Sequence, residues 1–147
     1  MKKLTLLFVA VLFTVGAYAQ QDQGTFRGQV GAAYGGDSEL GIGVGLQYFF
    51  ADNIAFAPGY TKYLNDVGFG LKYSSIDLNA RYYLSEGFYG LAGIDLVKLS
   101  GGLGSASTSE IAIGAGYDLS MSDSMLLNLQ AKYAGQMVLG VGVVFSF

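Results

Sequence analysis

Catalytic chemistry in this sequence would have to proceed without the commonest general base and without a thiol nucleophile, because its 147 residues include no histidine and no cysteine. A serine activated by a lysine remains conceivable, and Ser100 stands close to Lys98. Lysine is, however, common at the rim of a strand, where it favours solubility or contacts lipid phosphate. The sequence therefore predicts no catalytic residue and no enzymatic activity.

Binding chemistry is equally sparse. The glycine-rich segment Gly41-Ile42-Gly43-Val44-Gly45 lacks the Lys-Ser/Thr pair and the strand-to-helix junction of a phosphate loop. The acidic residues are scattered singly along the chain, which predicts no metal ion and no other cofactor. No basic cluster occurs after Lys3, so nucleic acid is not an expected partner. The absence of cysteine also excludes disulfides and thiolate metal ligands.

The remaining polar residues occupy every second position of segments whose other positions are apolar. Between Ile76 and Leu84 the even positions are apolar, whereas the odd positions include Asp77, Asn79 and Arg81. A period of two is typical of a β-strand whose faces meet different environments. The period recurs in eight segments after position 25. Each has about ten residues, the length with which a tilted strand crosses a bilayer.

Short polar segments are predicted to join these strands. Three tight turns are expected at residues 51–53, 85–87 and 122–124, and the alternate connections at 35–39, around Asn65-Asp66, at 100–109 and at 135–136. Apolar positions are odd at Val67, Phe69, Leu71 and Tyr73 but even from Ile76 onward. One extra residue in a strand reverses its two faces, so a β-bulge is predicted at Ser74-Ser75.

The distribution of bulky side chains decides which face of the predicted sheet meets which medium. One face carries large apolar residues, and the other carries mainly Gly, Ala, Asn, Gln and a few charges. The chain is 52% hydrophobic and only 13% charged, too few charges to cover the surface of a soluble protein. Because an eight-stranded interior is too narrow for eight bulky faces, these must contact lipid, where every strand edge must be paired. The sequence therefore predicts an all-β fold, an eight-stranded antiparallel up-and-down transmembrane β-barrel.

The inward face of this barrel is predicted to hold a polar network. Its members are Arg27, Gln29, Gln47, Asp77, Asn79, Arg81, Asp95, Asp118, Asn128, Gln130 and Lys132. An isolated ion is costly to bury, so we expect the three basic side chains to meet the three acidic ones across the lumen. The amide side chains are expected to fill the space between them.

The first nineteen residues are predicted to be a cleaved signal peptide. Lys2 and Lys3 precede the apolar stretch 4–15, which is shorter than the roughly 20 residues that a membrane-spanning helix needs. Ala17-Tyr18-Ala19 then matches the small-x-small pattern of signal peptidase sites, with cleavage before Gln20. The predicted domains are therefore a signal peptide at 1–19 and a barrel domain at 20–147.

The alternating segments resemble the small eight-stranded outer-membrane barrel family typified by OmpA and OmpX. The resemblance covers the whole predicted mature chain and is carried by Gln47 to Ile54, Ala80 to Leu84 and Val141 to Phe147. In the last segment, the terminal aromatic and the alternating apolar residues before it are similar to the family's β-signal, which the outer-membrane assembly machinery recognises. The residues concerned are Val141, Val143, Phe145 and Phe147.

The resemblance implies a location in the outer membrane of a Gram-negative-type bacterium, with both termini in the periplasm. It also implies contact with outer-membrane lipids, including lipopolysaccharide. Two functions remain open, a structural or surface-interaction role and a narrow porin-like channel for small or apolar solutes. Small lumen residues favour the channel, but inward Arg, Lys, Tyr and Gln favour a filled lumen. We therefore expect the first role.

Overall fold

The computed structural model describes residues 22–35, 39–64, 72–102 and 104–147, so the predicted signal peptide lies outside the described residues. The described ranges form eight strands, numbered in chain order: β1 (Phe26–Gly35), β2 (Leu40–Ala51), β3 (Ile54–Tyr63), β4 (Lys72–Tyr83), β5 (Phe88–Gly101), β6 (Gly104–Ser120), β7 (Met125–Tyr133) and β8 (Met137–Ser146). Within these ranges no helix is long and apolar enough to cross a membrane.

Each strand pairs antiparallel with the next, and β8 pairs with β1 to close a barrel. At this seam Arg27 lies opposite Ser146, and Gly35 lies opposite Val138. Closure pairs the backbone groups around the wall, which lipid requires. The predicted fold class is confirmed.

The two ends of the barrel differ in their connections. The described chain termini and the turns after β2, β4 and β6 lie at one end, here called the terminal end. The turn after β2 is tight, and Asn53 there has a φ of 66°, a conformation that asparagine tolerates better than most residues. The connections after β1, β3, β5 and β7 lie at the opposite end, called the loop end.

The predicted connection at 100–109 is wrong. The β5–β6 ladder continues to the pair Gly101 and Gly104, whereas the pairing of β6 with β7 begins only at Ile113 and Tyr133. This hairpin therefore projects beyond its neighbour at the loop end. Its residues 104–109 are exposed on both faces, so they need not alternate as membrane strands do.

The predicted bulge at Ser74-Ser75 is also wrong, because β4 pairs there with β3 and β5 without interruption. Tyr73 lies on the same face as Ser75 and lines the opening of the lumen at the loop end, where an aromatic side chain meets water as well as protein. The prediction treats apolar Tyr73 as an outward residue, and only a bulge could then reconcile it with the outward Ile76. Because Tyr73 faces inward, no bulge is needed. The other odd-numbered apolar residues on which the bulge prediction depends lie outside the described residues: Val67, Phe69 and Leu71. The register shift instead lies in β2, between Phe49 and Ala51.

Bulky apolar side chains form the outer surface of the barrel. Ile42 and Val44 are 54% and 56% exposed, whereas Gln47 on the opposite face of β2 is 1% exposed. A continuous apolar surface of this kind is suited to hydrocarbon. Large aromatic side chains are exposed toward the strand ends, as membrane-interface girdles require, and include Tyr34, Tyr48, Tyr60, Tyr82, Tyr133 and Phe145.

Candidate functional site: the polar lumen

The terminal end of the lumen is filled by a buried cluster, the aromatic plug, composed of Arg27, Phe49, Tyr83, Tyr89 and Asp118. Arg27 Nη1 lies 3.7 Å from Asp118 Oδ2, and the Arg27 guanidinium lies 4.8 Å from the centre of the Phe49 ring. The Tyr83 ring centre lies 5.4 Å from that of Phe49 and 5.1 Å from that of Tyr89. Tyr83 also donates a hydrogen bond of 2.7 Å to Asp118 Oδ2. The plug therefore combines an ion pair with three aromatic rings, of which Tyr83 contacts the other two.

The next level toward the loop end is an amide layer, composed of Gln29, Arg81, Asn128 and Gln130. Arg81 Nη2 donates to Gln29 Oε1 at 3.2 Å and to Gln130 Oε1 at 3.0 Å. The Arg81 guanidinium also lies 4.6 Å from the centre of the Tyr89 ring, a cation–π distance. The buried charge of Arg81 is thus balanced by oxygen dipoles and a ring face.

Asn128 joins the amide layer to the plug. Its Nδ2 donates to Asp118 Oδ1 at 2.6 Å and to the Tyr89 hydroxyl at 2.7 Å. Its Oδ1 accepts from Gln29 Nε2 at 3.0 Å, and the Tyr89 hydroxyl in turn donates to Gln130 at 3.1 Å. The two levels therefore form one hydrogen-bonded network across the barrel.

A separate ion cluster, the lysine triad, lies nearer the loop end and consists of Asp77, Asp95 and Lys132. The Lys132 ammonium reaches from β7 to Asp95 Oδ2 at 2.6 Å and to Asp77 Oδ1 at 3.1 Å. The two carboxylates are directly opposed residues of β4 and β5. Like charges in that position repel, so the shared ammonium is needed to hold them together.

Space remains in the lumen around the triad. A cavity of about 90 Å³ adjoins the amide layer and is lined by Asp77, Asn79 and Arg81, and by inward glycines that include Gly43, Gly59 and Gly140. A mouth of about 220 Å³ opens at the loop end and is lined by Glu39, Tyr63, Tyr73, Asp95 and Glu110. Asp77 lines the first space and Asp95 the second, which places the triad between them.

The structure places all eleven residues of the predicted network on the inward face. Arg27 contacts Asp118, and Lys132 contacts the other two acids. Arg81 departs from the expected pattern, because amide oxygens and a ring take the place of an acid. Gln47 accepts a hydrogen bond of 3.4 Å from Tyr83, and buried Asn79 lines the cavity.

Phe49 and Tyr89 belong to the plug but were not predicted as lumen residues. The inward position of both residues follows from the alternation of faces along a strand. Phe49 and Gln47 are both odd-numbered residues of β2, and Tyr89 and Asp95 are both odd-numbered residues of β5. Each is fully buried at the terminal end. The sequence predicts a lumen face of mainly small and polar residues, and these two aromatic side chains are exceptions to it.

The fold places the remaining chemical candidates on the wall of the barrel. Lys98 and Ser100 lie on the outward face of β5, each opposite residues of β4 and β6. The described part of the chain contains no group of three or more acidic, histidine or cysteine side chains that could hold a metal ion. The glycines of segment 41–45 alternate inward along β2, where Gly43 and Gly45 line the cavity.

Three residues of the predicted assembly signal lie on β8, and Phe147 follows the end of that strand. Val141 and Phe145 are exposed on the outer face of β8. The ring of Phe147 lies 6.4 Å from that of Phe26 across the seam. Val143 lies opposite Val30 of β1. Recognition of these residues during assembly stays a prediction.

Solved structures with the same architecture include several bacterial outer-membrane barrels. The N-terminal β-barrel domain of OprF from Pseudomonas aeruginosa matches with a TM-score of 0.68 and 18% identity, over 86% of this chain and 100% of that chain. The outer membrane protein OprG of the same organism matches with a TM-score of 0.63 and 16% identity, over 90% and 98% of the two chains. Ail, the attachment invasion locus protein of Yersinia pestis, matches with a TM-score of 0.56 and 18% identity, over 85% and 99%.

At these identities the likeness concerns the fold, which is that of the small eight-stranded outer-membrane barrels. The predicted resemblance to this class is confirmed. No protein-family model and no curated protein matches the sequence.

Proposed function

We propose that this chain is a non-enzymatic outer-membrane β-barrel with a structural or surface-interaction role, and that its lumen is closed to ions. The observation that carries the proposal is the aromatic plug, in which every side chain is at most 2% exposed. A passing ion would have to separate Arg27 from Asp118 and displace three packed rings at the same time. The amide layer and the lysine triad add two further barriers along the same axis.

The outward apolar surface and the likeness to outer-membrane barrels support an outer-membrane location. Residues 1–19 would then direct export and be removed, leaving 20–147 as the barrel domain with both termini in the periplasm. Its partners would be outer-membrane lipids, including lipopolysaccharide, and during assembly the machinery that recognises the segment ending at Phe147. A non-enzymatic role is supported by the absence of histidine and cysteine from the chain.

Planar-bilayer recording tests the closed lumen. The mature protein is refolded in detergent, its folding is verified by a change in gel mobility on boiling, and it is then inserted into a planar bilayer. We expect no stable conductance steps at moderate voltage, because Asn128 links the plug to the amide layer by hydrogen bonds of 2.6 and 2.7 Å. Reproducible steps from verified barrels would contradict the closed lumen.

A narrow channel is the second candidate, and the cavity of about 90 Å³ together with the mouth of about 220 Å³ favours it. The variant Gly140→Leu separates the two functions. Gly140 lines the cavity, and the atoms nearest to an added Cβ lie 3.8 Å away, so the substitution fills space without displacing backbone. Steps that vanish in this variant would establish a conducting lumen.

A further inference from the structure

Among the described residues, basic side chains occur in two places, in the lumen and in one patch on the outer wall of the barrel. Of the eight lysines and arginines, Lys2 and Lys3 lie in the predicted signal peptide and three belong to the lumen. The remaining three form what we call the basic patch, composed of Lys62, Lys72 and Lys98. All three are exposed and lie on adjacent strands, β3, β4 and β5.

The strand register brings these lysines close together. Lys62 lies opposite Ser74, which lies opposite Lys98 on its other side. Neighbouring strands are about 4.8 Å apart, which places the two lysine Cα atoms about 10 Å from each other. Lys72 stands two residues from Ser74 on the strand between them, or about 7 Å further toward the loop end. The three long side chains can therefore converge on one anionic group.

The surroundings of the basic patch favour an anion. The patch lines an open groove of about 740 Å³ on the outer wall, and serine hydroxyls lie between and beside the lysines at Ser74, Ser100 and Ser107. Among the described residues, no acidic side chain lies on the outward face of β3, β4, β5 or β6. The patch is thus basic on a protein with a formal net charge of −3.

An apolar row follows the basic patch toward the middle of the membrane. Tyr60, Ile76 and Leu96 are opposed in register across β3, β4 and β5, and all three line the groove. The patch therefore lies where the apolar outer surface gives way to polar residues at the loop end. That level corresponds to the lipid head groups of one leaflet.

We propose that the basic patch binds the phosphate-bearing head group of a membrane lipid in the leaflet at the loop end, with the acyl chains of that lipid lying on Tyr60, Ile76 and Leu96. The inference rests on the proposed function, because it requires a membrane-inserted barrel. Charge complementarity identifies the occupant. A phosphorylated lipid presents negative charge at head-group level and hydrocarbon directly below it, in the same order as the patch and the apolar row. A free phosphate ion would leave the apolar row unused.

Lipid titration followed by native mass spectrometry tests this assignment. The protein is folded in micelles of a neutral detergent and titrated with lipid A bearing two phosphate groups. The test variant combines Lys62→Gln with Lys98→Gln, and the control combines Ser122→Glu with Ser124→Glu in the exposed turn after β6. Both double variants lower the net charge by two, but only the first alters the patch. Gel mobility before and after boiling verifies that each variant forms a barrel.

We expect the lysine variant to bind the lipid about thirtyfold more weakly than the unmodified protein, since each surface lysine near anionic lipid contributes a factor of roughly five. The control variant should bind within about threefold of the unmodified protein, because its changes lie at the opposite end and are screened. Lipid A without phosphate should bind weakly to all three proteins, and millimolar inorganic phosphate should not displace the phosphorylated lipid.

Several outcomes would overturn the inference. Equal binding by the lysine variant and the unmodified protein would remove the patch as the site, and equal weakening in both variants would assign the effect to net charge. Displacement by inorganic phosphate would assign the patch to a free anion. If folded barrels that insert into bilayers bind no phosphorylated lipid, the inference fails while the proposed function stands. If the protein does not insert into membranes at all, the proposed function fails.

Discussion

The carboxylate of Asp118 connects the aromatic plug to the amide layer, and replacing it with asparagine tests whether that network stabilises the barrel. Asp118 accepts hydrogen bonds from Tyr83 at 2.7 Å and from Asn128 at 2.6 Å, and it faces Arg27 at 3.7 Å. Asparagine has nearly the same shape but only one acceptor oxygen. Its amide NH₂ would face either a donor or the guanidinium, so at least one strong contact is lost.

The size of the effect follows from the burial of the ion pair. Both side chains are 0% exposed, so solvent does not screen their interaction. Removing one partner of a buried ion pair costs about 3 to 5 kcal/mol. With a urea dependence of about 2 kcal/mol per molar, the unfolding midpoint of Asp118→Asn should fall by roughly 2 M.

Urea unfolding in detergent micelles, followed by circular dichroism because the chain has no tryptophan, measures this change. The control is Asp123→Asn in an exposed turn, which should alter the free energy of unfolding by less than about 0.5 kcal/mol. Adding Arg27→Met to Asp118→Asn should recover part of the loss, because the charge that faced Asp118 is then gone as well. An Asp118→Asn barrel that unfolds at the same urea concentration as the control would refute the reasoning.

Three further predictions concern the lumen and assembly. Lys132→Met leaves the two carboxylates of the lysine triad opposed and should destabilise the barrel by about 3 kcal/mol in urea unfolding; an unchanged midpoint would mean that the ammonium does not hold them. Gly116→Ala should lower the free energy of unfolding by about 1 to 3 kcal/mol, because its Cβ would overlap the Tyr89 ring. Gly140→Ala should leave that free energy nearly unchanged, and equal effects of the two variants would contradict the packing around Tyr89. Deleting Phe147 should lower the amount of protein in the outer-membrane fraction of cells while leaving unassisted refolding nearly unchanged; normal cellular insertion would refute a role in recognition.

The fold could be predicted because alternation of apolar and polar residues is enforced wherever lipid meets one face of a strand. From Ile76 to Leu84 every outward position had to be apolar, so the strand was evident in the sequence. Strand residues outside the bilayer need not alternate between apolar and polar side chains. Residues 104–109 of β6 meet water on both faces, their side chains are small or polar throughout, and the strand was mistaken for a loop.

The lumen residues could be predicted as a set, but not their partners. Strand parity fixes which face a residue occupies, and a shift of two residues between neighbouring strands preserves every face. Alternation therefore leaves the height of each side chain along the barrel open. Arg81 illustrates the consequence, since its inward position was evident while its contacts with Gln29 and Gln130 depend on the stagger of strands that are distant in sequence.

Disulfide trapping across the β1–β8 seam tests the central claim, closure of the barrel in the outer membrane, most directly. Ala32 and Val141 are opposed at this seam. Opposed residues of antiparallel strands have Cα atoms about 4.5 to 5.5 Å apart, within the range of a disulfide. The chain has no cysteine of its own, so Ala32→Cys with Val141→Cys introduces the only possible bridge.

The control joins Ala32→Cys to Ala92→Cys on β5, which lies four strands away around the wall. Non-reducing gels of isolated outer membranes measure cross-linking in both variants. A closed barrel predicts nearly complete cross-linking of the seam pair and none within the control chain. Seam cysteines that remain reduced under oxidising conditions, or cross-linking to the same extent in both variants, would contradict closure.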